Sequence, residues 1–283
     1  MSVTRGLLPL LYDDIVRRAL AEDLGGAGDL TTDAVVPADL AGRAAIVARA
    51  AGRVAGLEPA LHAFRLLDPE CQTDVPLPDG RDAAAGEAIA HVSAQARALL
   101  AAERTALNLL GRLSGIATAT RDVVARLDGL KTRVVSTRKT TPGLRTLEKY
   151  AVYVGGGGSH RYGLDDAVLI KDNHVALAGG IAEAVLRVRK SVGHMVKVEV
   201  EVDTLCQLDD ALALGVDAVL LDNMDLETLR EAVRRARGRA ISEASGGIRP
   251  ETVRAVAETG VDLVSIGWLT HSAPALDVAL DVR

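Results

Sequence analysis

Aromatic side chains are nearly missing: Phe, Trp and Tyr together make up 2% of the sequence, with one tryptophan and one phenylalanine. A core therefore has to be built from alanine, valine and leucine. Cysteine is as scarce. Cys71 and Cys206 supply neither a disulfide framework nor the spacing of zinc ligands, and they read as reduced, buried thiols. Positive charge is not in excess, since 33 Lys and Arg face 38 Asp and Glu for a net −5, which argues against a general nucleic-acid binder. No apolar run is long enough to span a membrane. The first residues, Met1–Tyr12, lack the apolar stretch and cleavage site of a signal peptide, so a soluble cytoplasmic protein is expected. A glycine-rich dinucleotide fingerprint after a strand is also lacking, which lowers the Rossmann alternative.

What is present is a chain of 283 residues, 48% of them apolar, enough for one large domain or for a barrel with a smaller companion. A helix is expected from about Leu11, then short strands near 44–50 and 52–56, then an alanine-rich helix from about Ala94 to Leu113. Beyond it, β-branched runs alternate with helical patterns. The runs are Arg133–Ser136, Ala167–Ile170, Val196–Val202, Ala218–Leu221, Ala240–Glu243 and Leu263–Ile266. Helices are expected over Ile181–Lys190, Thr204–Leu214, Leu226–Arg237 and Pro250–Thr259. Such alternation predicts a parallel sheet, and its even spacing favours a barrel.

The strand ends carry the chemistry. Arg138 and Lys139 follow the first run, Lys171, Asp172 and Asn173 the second, and Asp222 and Asn223 the fourth. Ser245, Gly246 and Gly247 follow the fifth, and Gly267 the sixth. In a parallel α/β barrel these ends converge on the face where active sites are built. Arg138, Lys139, Arg145, Lys149, Arg161 and Lys171 make a cationic segment in an acidic protein, which suggests an anionic ligand. Arg145 and Lys149 fit a helix exterior, whereas Arg138, Lys139 and Lys171 fit a ligand role. His160 and Arg161 follow the run Gly155–Gly158 and together can donate several hydrogen bonds to a carboxylate, although the glycines by themselves fit a plain turn as well.

In the third run, Lys197, Glu199, Glu201 and Asp203 alternate with Val198, Val200 and Val202, so one strand face is charged and the other apolar. If the charged face points inward, its carboxylates need partners, and Lys139 and Lys171 are the natural ones. Ser245–Gly247, ahead of a helix expected at Pro250, suits a phosphate, and so does Gly267 in the next loop. Asp222 reads as a helix cap or, with Glu201, as a holder of Mg²⁺ or a stabiliser of positive charge on a ribose.

Taken in order, these motifs resemble the decarboxylating nicotinate-nucleotide pyrophosphorylases, or quinolinate phosphoribosyltransferases. The stretches that carry the likeness are Glu22-Asp23-Leu24 with Gly28-Asp29-Leu30-Thr31-Thr32, Ala102-Glu103-Arg104-Thr105, and Thr137-Arg138-Lys139-Thr140-Thr141-Pro142-Gly143. Further on come Gly155–Gly158 with Ser159-His160-Arg161, Leu169-Ile170-Lys171-Asp172-Asn173-His174, Val198–Val202, Leu221-Asp222-Asn223 and Ala244-Ser245-Gly246-Gly247. They span nearly the whole chain. The resemblance implies an α/β fold: an N-terminal α/β sandwich over 1–111 plus 271–283, and an open α/β barrel of the type II phosphoribosyltransferase kind over 112–270. It implies transfer of a phosphoribosyl group from phosphoribosyl pyrophosphate to quinolinate, with Mg²⁺ as cofactor. Arg104, Arg138, His160 and Arg161 would hold the two carboxylates, with Arg104 supplied by the partner in a homodimer. Lys139 and Lys171 would contact substrate and pyrophosphate, Glu201 and Asp222 would serve the ribose and Mg²⁺ side, and Ser245, Gly246, Gly247, Gly267 and His271 would match the 5′-phosphate site. Two departures are Ser159, where asparagine is common, and Trp268, where a small or apolar residue is usual. Rival readings are a molybdenum-associated paralogue, a phosphosugar isomerase or lyase, and a ligand-sensing barrel, because fold alone decides none of them.

Overall fold

The computed structural model describes residues 6–282, which fall into two compact units. The first unit comprises residues up to Arg121, Thr140–Gly156, and the chain from Ser272 onward; the second comprises Asp122–Lys139 and Gly157–His271. Segment 140–156, assigned from sequence to the barrel, thus groups with the first unit. The expected domain limits at residues 1 and 283 lie outside the described residues.

In the first unit, β1 (Ala41–Ala48), β2 (Gly52–Arg53), β3 (Gln72–Asp74), β4 (Asp82–Ala83) and β5 (Ala88–Gln95) accompany α1 (Asp13–Leu24), α2 (Leu30–Val35), α3 (Leu57–Leu67) and α4 (Ala96–Ala125). A four-stranded antiparallel sheet runs in the order C-terminal strand Val278–Val282, β1, β5, β3. Its core is small-residue and aliphatic, as the shortage of aromatics requires: Ala44, Ala45, Ile46, Ile89, Ala90 and Val92 are buried together with Leu61 and Phe64 of α3.

Helix α4 extends well past the expected Leu113, and Gly111 and Gly115 lie within it. Both glycines serve close approach. A Cβ at Gly115 would overlap the Pro274 carbonyl, and one at Gly111 would stand 2.8 Å from the Leu276 carbonyl. The chain returning from Ser272 therefore lies directly on the helix backbone, and the Leu276 amide donates to the Gly111 carbonyl at 2.8 Å. Helix α5 (Arg145–Val154) contributes the fully buried Glu148. Its Oε1 accepts from Arg112 Nε (3.1 Å) and Nη2 (2.9 Å) and from Thr141 Oγ1 (2.8 Å), while Oε2 accepts the Thr141 amide at 3.0 Å. Lys149, expected on a helix exterior, is buried.

The second unit is a parallel sheet of seven strands. These are β6 (Arg133–Ser136), β7 (Gly158–Ser159), β8 (Val168–Ile170), β9 (Val198–Val202), β10 (Ala218–Asp222), β11 (Ile241–Ser245) and β12 (Leu263–Ser265). Their spatial order is β7-β6-β12-β11-β10-β9-β8, every pairing is parallel, and β7 and β8 form the two free edges, so the barrel is open. Helices α6 (Asp172–Ala178), α7 (Ile181–Ser191), α8 (Leu205–Ala213), α9 (Leu226–Ala236), α10 (Val253–Ala257) and α11 (Trp268–His271) lie between or after the strands. Two have a clear local cause: Thr204 with Gln207 forms a capping box on α8, and the Asp225 carboxylate accepts the amides of Glu227 and Thr228 at the start of α9.

Strand β9 shows how the sequence aims side chains. Val198, Val200 and Val202 are buried on one face, each worth about 1.5–3 kcal/mol in apolar burial. Register places Glu199 level with Ala218, and Glu201 level with Leu220, itself level with Glu243 of β11. Paired residues of a parallel ladder share a face, so the carboxylates lie together opposite the valines. Among the described residues both cysteines are free; Cys71 is half-exposed and Cys206 exposed, contrary to the buried thiols expected. Cys71 lies just before β3, and Cys206 is on the exposed side of the first turn of α8, so neither is on a core face.

Candidate active site

Of the residues singled out from sequence, Arg138, Lys139, His160, Arg161, Lys171, Glu201, Asp222, Ser245, Gly246, Gly247, Gly267 and His271 all lie in the second unit. They sit at or just beyond the C-terminal ends of its strands. Arg104 lies in the first unit. It is exposed on α4, with Nη2 4.0 Å from Glu103 Oε1, on the wall of a hollow of about 310 Å³ shared with Glu22, Asp23, Asn108 and Arg112.

Lys171 meets Glu201, as charge balance demands: Nζ lies 2.7 Å from Oε2. The lysine follows β8 and the carboxylate follows the valine alternation of β9, so adjacent strands deliver the pair. Lys139 was expected to share this role and does not; among the described residues no carboxylate lies within 4.0 Å of it. Instead it reaches across the loop after β12. A Cβ at Gly267 would stand 3.0 Å from Lys139 Cδ and 3.4 Å from His271 Nε2. Thr270 Oγ1 donates to the Lys139 carbonyl at 2.8 Å and holds the loop there. Gly267 is glycine because the Lys139 stem and the His271 ring occupy the space over its Cα, and the half-buried Trp268 opens α11 directly after it.

The loops after β10 and β11 also interlock. The Asn223 amide donates to the Ser245 carbonyl at 3.0 Å, and Asn223 has the positive φ of 52° that a short polar side chain tolerates. Its Nδ2 donates to Asp222 Oδ2 at 2.6 Å. Gly246, at φ 98°, leaves no room for a side chain, since a Cβ would overlap the Asn223 amide oxygen. Gly247 follows at φ 59°. The helix expected at Pro250 begins instead at Val253 and runs only to Ala257, so the anion-binding capacity of this loop rests on the Ser245–Gly247 backbone and hydroxyl. The remaining carboxylates, on Glu201 and Asp222, are half-buried hard oxygen donors of the kind Mg²⁺ takes one or two of beside substrate oxygens.

Arg138 and Arg161 form the cationic wall. Burial pushes the Arg161 guanidinium below its usual pKa, and the neighbouring Arg138 charge pushes it the same way, against Asp166 and Glu199. Arg138 Nε is buried and has no hydrogen-bond partner among the described residues. Two guanidiniums kept close, one with a buried donor unspent, describe a receptor for an anion with several acceptor oxygens. His160 is tied inward, with Nε2 2.7 Å from Glu199 Oε2 and 3.7 Å from Glu243 Oε1.

Glu243 was not singled out from sequence. It is 1% exposed, and the available signal was its position in Ile-Ser-Glu-Ala-Ser, two residues before Ser245 and therefore on the same strand face. Two glycines of the run Gly155–Gly158 serve packing: a Cβ at Gly155 would stand 2.5 Å from Thr120 Cβ, and one at Gly158 would stand 3.3 Å from Val135 Cγ1, while Gly156 takes the positive φ of 97°.

Known proteins resemble this chain in sequence and in fold. The family model described as quinolinate phosphoribosyl transferase, N-terminal domain, matches residues 29–114, and the corresponding C-terminal domain matches 116–281. The probable nicotinate-nucleotide pyrophosphorylase [carboxylating] of Bacillus subtilis is 46% identical, covering 92% of this chain and 90% of that protein. The nicotinate-nucleotide pyrophosphorylase [carboxylating] of Mycobacterium leprae is 44% identical, covering 95% and 96%. The solved structure of the nicotinate-nucleotide pyrophosphorylase from Francisella tularensis superposes with a TM-score of 0.94 at 38% identity over the full length of both chains. By its matched domains and its relatives, the chain belongs to the quinolinate phosphoribosyl transferase family.

Proposed function

We propose that the protein transfers the phosphoribosyl group of phosphoribosyl pyrophosphate to the ring nitrogen of quinolinate, releasing pyrophosphate and carbon dioxide and leaving nicotinate mononucleotide, a step in making NAD. The observation that carries this reading is the pair Arg138 and Arg161, two neighbouring cations with a buried donor still unspent. A dicarboxylate matches it; a single carboxylate leaves part of it unanswered. The names of the relatives point the same way.

On this reading the residues take the following roles. Arg138 and Arg161 grip the carboxylates, and Arg104 completes the grip from the partner of a homodimer. Ser245, Gly246 and Gly247, with Gly267 and His271, cradle the 5′-phosphate, and Lys139 reaches the same region over Gly267. Glu201, oriented by Lys171, and Asp222, oriented by Asn223, face the ribose and stabilise the positive charge that grows on its anomeric carbon as pyrophosphate departs. These two carboxylates would also hold Mg²⁺, which when bound neutralises pyrophosphate charge. Attack by the ring nitrogen forms the N–C bond as the C–O bond to pyrophosphate breaks. The pyridinium then draws electrons from the adjacent carbon, the C–C bond to its carboxylate breaks, carbon dioxide leaves, and the ring carbon takes up a proton. No organic cofactor is required.

A cytoplasmic setting goes with this reading, and no helix among the described residues is long and apolar enough to cross a membrane. The direct test is a coupled assay with quinolinate, phosphoribosyl pyrophosphate and Mg²⁺, following nicotinate mononucleotide and carbon dioxide. Absence of product from folded protein would overturn the assignment.

A further inference from the structure

Strand β10 ends on two polar residues whose side chains meet. Neighbours along a strand point to opposite faces, so Asp222 and Asn223 would ordinarily face apart. Asn223 breaks that pattern by turning left-handed, at φ 52°, and it is the only non-glycine residue with positive φ among the described residues. Its Nδ2 then lies 2.6 Å from Asp222 Oδ2. An ionised carboxylate only accepts, so the amide nitrogen is the atom that faces it, and the amide oxygen points elsewhere.

That oxygen meets the loop after β11. A Cβ at Gly246 would overlap Asn223 Oδ1 and stand 2.6 Å from Asn223 Cγ. The oxygen therefore lies over the Gly246 Cα, at a glycine whose own φ of 98° suits no other residue. The Asn223 main-chain amide adds a third tie, donating to the Ser245 carbonyl at 3.0 Å. One residue thus clasps the ends of two neighbouring strands, which pair at Asp222 and Ser245. Helix α9 does not explain the strained turn, because its first amides are taken by Asp225. Backbone strain kept beside functional groups points to a purpose at those groups.

We propose that Asn223 is a positioning residue for the phosphoribosyl donor. Its side-chain amide ties the Asp222 carboxylate to the Ser245–Gly247 loop, and so fixes the span between the group that faces the ribose and the cradle of the 5′-phosphate. This rests on the proposed function for the identity of the donor. From sequence, Asn223 is part of the Leu221-Asp222-Asn223 stretch and has no role of its own. In phosphoribosyl pyrophosphate the ribose joins the anomeric carbon to the 5′-phosphate, so the two ends arrive at a limited range of separations. Groups that recognise both ends bind best when their own separation is preset, because ordering them no longer opposes binding. The carboxylate grip of Arg138 and Arg161 stands on other strands, so Asn223 serves one substrate and not the other.

Two experiments test the proposal. Asn223→Gly removes the amide and keeps a backbone that adopts a positive φ freely. Its melting temperature should stay within about two degrees of wild type. Its kcat/KM for phosphoribosyl pyrophosphate should fall about tenfold or more, while KM for quinolinate moves by less than about twofold. A merely structural role would lower stability and disturb both substrates alike. Gly246→Ala, made in wild type and in the Asn223→Gly background, reads the clasp itself. In wild type the new methyl meets the Asn223 amide. In the second background only the left-handed backbone and the main-chain nitrogen of residue 223, 2.9 Å from the Cβ position, oppose it. The loss of melting temperature should be smaller there, and the loss of kcat/KM for phosphoribosyl pyrophosphate smaller by about threefold or more. Equal losses in both backgrounds, or an Asn223→Gly variant with unchanged kinetics toward phosphoribosyl pyrophosphate, overturn the proposal. The melting comparison uses no substrate, so it decides on the clasp even where wild-type protein forms no nicotinate mononucleotide, which is the result that overturns the proposed function instead.

Discussion

Replacing Arg138 by methionine, close in length and uncharged, separates binding from stability. The Arg138 side chain makes no ion pair among the described residues, and its Nε is buried without a partner. It also lies beside Arg161, whose charged form is disfavoured by burial and then by Arg138 itself. Arg161 is protonated in the folded and unfolded chain alike at neutral pH. A folded pKa below the unfolded one therefore means that charge costs stability at every pH below the folded value. Removing Arg138 lifts part of that cost, so the variant should be as stable as wild type or more so. Binding moves the opposite way. A guanidinium fork on a carboxylate makes two charge-assisted hydrogen bonds of about 1.5–3 kcal/mol each, so losing it should lower kcat/KM for quinolinate by about two to four powers of ten. Steady-state kinetics at saturating phosphoribosyl pyrophosphate, alongside thermal unfolding of the same preparations, reads both quantities. A variant that unfolds easily yet keeps near-normal kcat/KM per folded molecule would refute the reasoning, because Arg138 would then be a structural cation.

Nicotinate lacks one of the two carboxylates, so its kcat/KM should fall more than about a hundredfold below that of quinolinate; comparable turnover would sink the dicarboxylate assignment. Gly246→Ala forces a methyl onto the Asn223 amide and requires a left-handed alanine, so KM for phosphoribosyl pyrophosphate should rise steeply in protein that remains folded, whereas unchanged kinetics would mean that this loop does not touch the phosphate. If Arg104 serves the partner's site, mixing Arg104→Ala and Lys139→Ala dimers should restore roughly a quarter of wild-type activity after random exchange, since half the dimers are mixed and each has one intact site; no recovery despite measured exchange would place Arg104 in its own chain's site. Asp82 is held below the ordinary carboxylate range by its hydrogen bonds with Arg53, first, and Arg121. Its contribution is present above the unfolded pKa and lost as pH falls through the folded one, so Asp82→Asn should lower the urea midpoint slightly at pH 7 and progressively less as pH falls below the ordinary carboxylate range; an equal loss at every pH would assign the effect to packing.

Much of the barrel could be read from the sequence because its signals are periodic. Arg133–Ser136 has the bounds expected, and the β9 alternation announced both the buried valines and the Lys171–Glu201 pair. Strand β7 was not legible, because Gly158 and Ser159 carry no β-branched signal and are strand only by pairing with Val135 and Ser136. The true end of α4 was hidden by Gly111 and Gly115, which in isolation weaken a helix and here accommodate a returning chain. Lys149 looked like a surface residue because charge alone predicts exposure, and its burial depends on tertiary neighbours. Among the candidate site residues, strand-end position was enough to single out Arg138, Lys139 and Lys171. Glu243 escaped because it sits within a strand rather than at its end, and the partnership of Glu199 with His160 joins strands far apart in sequence.

The opening between β7 and β8 bears on how the loop of residues 160–167 can move. A closed barrel would lock residues 160–167 between two ladders, and any shift of Arg161 would break main-chain hydrogen bonds in the sheet. Here that stretch bridges two edges made of Gly158–Ser159 and Val168–Ile170. Edges this short offer few free amides and carbonyls to a foreign strand, so the gap invites little aggregation. Under the proposed function this segment carries part of the grip on the anion, and it can shift without breaking a ladder of the sheet beneath it.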